Sequence, residues 1–196
     1  MNKEILNQIA TKMVSDSKGI LAIDESHGTC KKRFDTLKIA VNEENRRSYR
    51  DMLISAESLA KYISGVILFD ETIRQKTNDG STFPEFLNNI GIMPGIKVDA
   101  GAKDFSCHAN EKITEGLDNL SQRMEDYKSL GAKFAKWRAV ITIGDRIPSL
   151  ACMVANSHAL ARYASICQEV DIVPIVEPEV LMDGSHDIKK CFEVTN

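Results

Sequence analysis

Several patterns that mark whole classes of protein are missing from this 196-residue sequence. Its five cysteines include no Cys-x-x-Cys pair and its four histidines no His-x-x-x-His pair, so we expect neither a zinc site nor a disulfide framework. Acidic and basic residues are interleaved and the net charge is only -3, which leaves no basic stripe for nucleic acid and no polybasic tract for a membrane surface. Neither partner is therefore expected.

Long apolar runs and nucleotide-binding motifs are missing too. Residues 1–19 carry charges of both signs instead of the unbroken apolar stretch of a secretory signal. No segment approaches the roughly 20 apolar residues of a membrane-spanning helix. We therefore predict a cytoplasmic protein. No G-x-G-x-x-G or G-x-x-x-x-G-K-[ST] motif follows an apolar run, which disfavours the nucleotide-binding α/β folds.

What the sequence has instead is a set of short apolar runs that carry charged residues at or near their ends. The five runs are GILAIDES (residues 19–26), GVILFDE (65–71), GIKVD (95–99), FAKWR (134–138) and VPIVEPE (173–179). In a parallel barrel or doubly wound sheet, such charges lie at the carboxyl ends of the strands, where loops converge on a ligand. Buried charges must neutralise one another or hold a charged substrate. The pattern therefore indicates an enzyme.

Three of the runs carry charged residues two positions apart, whose side chains point to the same face of a strand. These pairs are Lys97 with Asp99, Lys136 with Arg138, and Glu177 with Glu179. Trp137 alternates away from its neighbours and is predicted to be a packing residue.

The runs alternate with segments of helical periodicity. We predict strands at 19–23, 65–69, 95–98, 134–141 and 172–176, helices at 3–14, 43–62, about 117–131 and from 150, and a long loop at 100–115. This alternation predicts a parallel α/β sheet with right-handed crossovers. A TIM-type (β/α)8 barrel has eight such units, and about the first five are visible here. We expect residues 1–196 to form a single partial barrel domain, truncated within the fifth crossover helix.

Each charged position also has a plainer interpretation. Asp24 could be a loop acid, and Ser26 or Thr29 an ordinary helix cap. Lys97 and Lys136 could be exposed charges on edge strands, which discourage aggregation. The two glutamates around Pro178 could form a solvated turn. The arginines at positions 46, 47 and 50 could form a solvated helix face or a subunit contact.

Seven segments together resemble one enzyme family. From about residue 15 to residue 196 the chain reads, in order, GILAIDES, NEENRRSYR, GVILFDET, GIKVD, LGAKFAKWRAVI, LARYASICQ and VPIVEPEVLMDGSHD, and these words resemble class I fructose-1,6-bisphosphate aldolase. The resemblance implies a (β/α)8 barrel that needs no metal or other cofactor and forms a homotetramer at full length. It also implies reversible cleavage of a phosphorylated sugar, fructose 1,6-bisphosphate, to dihydroxyacetone phosphate and glyceraldehyde 3-phosphate through a lysine Schiff base.

The resemblance assigns four residues to catalysis. Asp24 would handle the proton of the C4 hydroxyl, and Lys136 would lie beside the Schiff base. Glu177 would be the general acid and base of Schiff-base formation, and Glu179 would balance the lysines. The Schiff-base lysine itself is expected on a sixth strand, beyond residue 196.

The resemblance assigns a second group to substrate binding. Lys97 would bind a phosphate, and the planar guanidinium of Arg138 would donate hydrogen bonds to a phosphate or carboxylate. Ser26 and Thr29 would turn their hydroxyls toward a phosphate at a helix start, although Thr29 stands where serine is usual in the family.

Two other functions stay open. The chain could be a noncatalytic short product that acts by binding or assembly. It could also be another Schiff-base lyase that uses Lys136 or Lys97 as its nucleophile, although either choice would remove the second cation from the mechanism.

Overall fold

The order of strands in space follows their order in the sequence. The structure, a computed structural model, describes residues 1–196. Its strands are β1 (Gly19–Ala22), β2 (Ile63–Leu68), β3 (Met93–Lys97), β4 (Ala102–Asp104), β5 (Lys112–Thr114), β6 (Phe134–Ile141) and β7 (Val173–Val180). Five of them form a parallel sheet in the order β1-β2-β3-β6-β7, and β4 and β5 form a separate antiparallel hairpin.

Helices connect the parallel strands. They are α1 (Lys3–Met13), α2 (His27–Thr36), α3 (Glu43–Ile54), α4 (Leu59–Tyr62), α5 (Asp70–Ile73), α6 (Phe83–Asn89), α7 (Leu120–Ser129), α8 (Leu150–Glu169) and α9 (Ile188–Thr195), with a 3₁₀ turn at Ser15–Ser17. This arrangement confirms the predicted α/β fold class, with five βα units of a TIM-type barrel. No helix combines the length and the apolar character needed to cross a membrane.

Alternation along β6 divides its side chains between two environments. Ala135, Trp137 and Ala139 are fully buried in the core cluster between the sheet and the helices, which confirms the packing role predicted for Trp137. Phe134, Lys136 and Arg138 point the opposite way, because strand side chains alternate faces. That inner face therefore carries the two cations.

Glycines make room for Phe134 on the inner face. A Cβ atom at Gly95 would overlap the Phe134 ring, and one at Gly65 would come within 2.8 Å of it. The ring packs in a small second core with Met13, Ile67 and Met93. These glycines are thus required by the close approach of a neighbouring strand's side chain.

The three largest differences from prediction concern the end of a helix, a loop and the end of a strand. The helix expected over 43–62 stops at Ile54, because Ser58 adopts a left-handed backbone conformation before α4 begins. Residues 100–115 are not a loop throughout but contain the β4–β5 hairpin. The last strand runs to Val180, so Glu177 and Glu179 lie within β7.

Tertiary partners explain the hairpin. The Thr114 amide donates to Asn156 Oδ1 of α8 over 3.2 Å, and the Thr114 hydroxyl donates to the Arg138 carbonyl over 2.7 Å. Asn156 also donates to the Lys112 carbonyl over 2.9 Å. These contacts hold two three-residue strands that have little stability of their own.

Candidate active site

A polar cavity of about 290 Å³ opens at the carboxyl ends of β1, β3 and β6. Six of the eight predicted site residues line it: Asp24, Ser26, Thr29, Lys97, Lys136 and Arg138. Glu177 and Glu179 adjoin it through ion pairs with Lys136 and Arg138. A larger groove of about 700 Å³ between α2 and α3 is mainly apolar in its lining. The smaller cavity therefore holds the predicted chemistry.

Lys136 occupies the centre of the charged cluster. Its Nζ donates to Asp24 Oδ2 over 3.0 Å and lies 3.5 Å from Glu177 Oε2, and only 12% of the side chain is exposed. Burial lowers the pKa of Lys136, but the charges and hydrogen bonds of Asp24 and Glu177 outweigh it, so the pKa is raised above its ordinary value. Lys136 is therefore a protonated donor and a fixed positive charge in this arrangement.

Asp99 links the Lys97 side chain to the backbone of β6. Its carboxylate accepts from Lys97 Nζ over 2.6 Å, from the Gly101 amide over 3.0 Å and from the Arg138 amide over 3.4 Å. Arg138 itself donates from Nε to Glu179, and this hydrogen bond raises the pKa of Arg138 further. The sequence predicted that Asp99 and Lys97 share a face, but not that Asp99 accepts from the backbone amides of Gly101 and Arg138.

Ser26 is both a helix cap and a cavity residue. It precedes α2, its Oγ accepts from the Thr29 amide over 3.3 Å, and the two hydroxyls lie 3.2 Å apart. The N-terminus of a helix favours anions because its first amides lack partners and its dipole is positive there. The cap interpretation and the phosphate interpretation are therefore compatible.

Glu177 and Glu179 share the inner face of β7. The solvated-turn interpretation is wrong, because both residues belong to the strand. Glu177 Oε2 is buried and forms an ion pair with Lys136 Nζ over 3.5 Å. A carboxylate fixed beside the site in this way can exchange a proton with a group that binds against it.

The edge-strand interpretation of the lysines is also wrong. Lys97 and Lys136 lie on β3 and β6, which are interior strands of the sheet, and their side chains are largely buried. Not every strand-end charge converges on the cavity, however. Asp70 pairs with Arg74, and Glu71 pairs with Arg46.

Two of the three arginines of α3 were misread from the sequence. Arg46 is 9% exposed and Arg50 is fully buried, so a solvated face or a subunit contact is excluded for both. Arg46 donates to the two oxygens of Glu71 over 2.8 and 2.5 Å. Spacing of four residues on one helix, together with an acidic pair after β2, was the available signal for this buried network.

No group of three or more histidine, cysteine, aspartate or glutamate side chains is arranged to hold a metal ion. The cavity instead offers three cations, each beside a carboxylate, and two hydroxyls at a helix start. Such a set suits a substrate with more than one anionic group and a reaction that moves protons.

Known proteins match the chain over all or nearly all of its length. A family model described as fructose-bisphosphate aldolase class-I matches residues 5–196. A probable fructose-bisphosphate aldolase class 1 from Xanthomonas axonopodis pv. citri is 59% identical over 195 residues, which cover 100% of this chain and 58% of that protein. Fructose-bisphosphate aldolase 2 from Caenorhabditis elegans is 49% identical over 193 residues, covering 98% of this chain and 53% of its own length.

A solved aldolase structure also matches this chain. Fructose-bisphosphate aldolase from Plasmodium falciparum, determined in a ternary complex with TRAP and a small-molecule inhibitor, superposes with a TM-score of 0.92 at 47% identity. The match covers 100% of this chain and 58% of that one. The chain thus spans rather more than half the length of the relatives it matches.

Proposed function

Because the chain belongs to the class I fructose-bisphosphate aldolase family, we propose that it supplies five βα units of an enzyme that cleaves fructose 1,6-bisphosphate reversibly. The products are dihydroxyacetone phosphate and glyceraldehyde 3-phosphate, and the reaction proceeds through a lysine Schiff base. The observation that carries the proposal is the buried Lys136 ammonium between Asp24 and Glu177.

Each carboxylate beside Lys136 takes a separate part. Asp24 accepts the proton of the C4 hydroxyl as the C3–C4 bond breaks, and the electrons of that bond pass to the protonated Schiff base. Glu177 donates and accepts the protons of Schiff-base formation and hydrolysis. Lys136 stabilises the negative charge on whichever of the two carboxylates is ionised, which a preorganised cation does best where water is excluded.

Substrate phosphates need fixed positive groups. Lys97 at the carboxyl end of β3 and Arg138 within β6 supply positive charge, and Ser26 and Thr29 supply hydroxyls at the start of α2. Glu179 holds the Arg138 guanidinium. Two anion-binding positions in one cavity support a bisphosphate substrate over a neutral sugar.

The nucleophilic lysine belongs outside residues 1–196 in this proposal. Lys136 is a poor candidate, because its raised pKa keeps it protonated and a nucleophilic lysine must lose its proton. The chain by itself is then inactive, and residues 1–196 form a single partial barrel domain of a longer enzyme. The family resemblance further supports a cytoplasmic homotetramer.

A chimera tests the proposal. Residues 1–196 replace the matching part of the Xanthomonas relative, and cleavage of fructose 1,6-bisphosphate is measured with a coupled NADH assay. We expect an active chimera, no activity from residues 1–196 alone, and loss of activity in the chimera with Lys136→Met. Lys133→Met is the matched control, since Lys133 lies just before the same strand and is exposed.

Two results would contradict the proposal. One is an inactive chimera that is folded by circular dichroism. The other is a stable adduct on a lysine of residues 1–196 after borohydride treatment with dihydroxyacetone phosphate, which would place the nucleophile inside this chain. A chain that binds no phosphorylated sugar in either context would instead favour the noncatalytic fragment.

A further inference from the structure

Arg50 of α3 contacts the backbone of the loop that carries the proposed base. The loop connects β1 to α2 and contains Asp24, Glu25 and Ser26. Arg50 Nε donates to the Ile23 carbonyl over 3.1 Å, and Nη2 donates to the Glu25 carbonyl over 2.6 Å. The first carbonyl belongs to the peptide that joins Ile23 to Asp24, and the second to the peptide that joins Glu25 to Ser26.

These two peptides set the directions of functional side chains. The orientation of the peptide before Asp24 fixes where its Cβ points, and the peptide before Ser26 does the same for the cap of α2. The parallel ladder between β1 and β2 ends nearby, with the Ile23 amide donating to the Ile67 carbonyl over 3.1 Å. Beyond that point the guanidinium of Arg50 replaces a neighbouring strand as the donor to the loop.

The surroundings of Arg50 hold its guanidinium in place. The side chain is fully buried, Nη1 lies 3.4 Å from Glu71 Oε2, and the Phe69 ring centroid is 5.5 Å from Cζ. Glu71 is itself fixed by two hydrogen bonds from Arg46. A buried charge with these partners and two carbonyl acceptors has a single favourable orientation.

We propose that Arg50 is a positioning residue that orients Asp24 and Ser26 for the cleavage step. The inference rests on the proposed function, because it assigns Arg50 to a step that only an aldolase performs. Lysine cannot replace it, since one ammonium on a flexible stem does not reproduce the planar fork that reaches both carbonyls.

The test separates Schiff-base formation from cleavage in the chimera described above. Borohydride trapping with saturating dihydroxyacetone phosphate counts folded, competent sites, and cleavage of fructose 1,6-bisphosphate is then expressed per trapped site. Partial unfolding lowers the number of sites and not the turnover of each. For Arg50→Lys we expect turnover per site to fall by about 100-fold, the loss associated with misplacing a reacting group by about 1 Å.

Arg47→Lys is the matched control. Arg47 lies on the same helix and also donates to a backbone carbonyl and a carboxylate, but its partners are Lys76 and Glu44, away from Asp24. Its turnover per site should stay close to that of the parent chimera. If Arg50→Lys gives too few sites to count, Arg50→Gln is assayed in the same way and judged by the same results.

Three outcomes are decisive. Loss of turnover per site in the Arg50 variant, but not in the Arg47 variant, supports the proposal. Unchanged turnover per site in the Arg50 variant, or an equal loss in both, overturns it while leaving the proposed function intact. A parent chimera that neither traps dihydroxyacetone phosphate nor cleaves substrate overturns the proposed function, and the role of Arg50 falls with it.

Discussion

Replacement of Glu71 by glutamine should destabilise the 196-residue chain by about 3 to 5 kcal/mol at neutral pH, the range for removing one partner of a buried ion pair. The Glu71 side chain is 16% exposed, and its carboxylate faces Arg46 at 2.8 and 2.5 Å and Arg50 at 3.4 Å. Glutamine keeps the shape but leaves two largely buried guanidinium groups with no compensating charge. Its carbonyl oxygen still accepts one hydrogen bond, which places the expected loss near 3 kcal/mol.

The pH dependence of this loss has a definite sign. Hydrogen bonds from Arg46 lower the pKa of Glu71 below its ordinary value, and they outweigh the opposing effect of burial. A carboxylate with a lowered pKa stabilises the fold fully above its unfolded pKa, about 4.3 for glutamate, and loses that contribution as the pH falls through the folded value. The difference in free energy of unfolding between the parent chain and the Glu71→Gln variant should therefore be largest at pH 7 and should shrink below about pH 4.

Urea denaturation of the 196-residue chain, followed by circular dichroism, measures this difference. Glu44→Gln is the control, because Glu44 makes the same two-pronged contact with Arg47 at 2.9 and 2.6 Å but is mostly exposed. Water screens such a pair, so its removal should change the midpoint little. Equal losses in the two variants would refute the reasoning, since burial would then add nothing to the Glu71 network.

Three further perturbations follow from single contacts. Gly95→Ala places a methyl group against the Phe134 ring and should cost about 1 to 3 kcal/mol by thermal denaturation, with partial recovery on adding Phe134→Leu. Asn156→Ala removes the amide that holds the β4–β5 hairpin to α8, so hydrogen exchange should quicken in the hairpin while the parallel sheet keeps its protection. Asp24→Asn should lower the pKa of Lys136, as followed by NMR titration, because Asp24 is the first of the two carboxylates that raise it; an unchanged pKa would contradict this account of the site.

Much of the sheet could be predicted from the sequence, because its strands are short apolar runs that are followed by charged or turn-forming residues. The strand predicted at 134–141 matches β6 from Phe134 to Ile141. The hairpin could not be predicted in this way, since its three-residue strands depend on Asn156, 42 residues from Thr114. The break after α3 was missed because Ser58 takes a left-handed conformation in a segment that contains no glycine or proline, which are the usual sequence signals of a helix break.

The site was predictable to the extent that its charges are local. Residues two apart on a strand share a face, so Lys97 with Asp99 and Lys136 with Arg138 could be placed from spacing alone. The buried arginine network could not, because Arg46 and Glu71 are 25 residues apart and come from two different helices, α3 and α5. Charged residues that look solvent-exposed from the sequence of one helix can be buried and neutralised by a residue that is distant in the sequence.

Under the proposed function, the pairing of charges in the cavity affects where a substrate phosphate binds. Lys97 is held by Asp99, and Arg138 by Glu179, so neither cation is free before substrate arrives. The net binding free energy of a phosphate at these cations is therefore the difference between the hydrogen bonds that it forms and those that it displaces or shares. Ser26 and Thr29 differ in this respect, because their hydroxyls contact each other and the helix start without a competing carboxylate. Under the proposed function, the helix start of α2 therefore gives a substrate phosphate the position with the least competition, and the loop whose carbonyls accept from Arg50 carries both that position and Asp24.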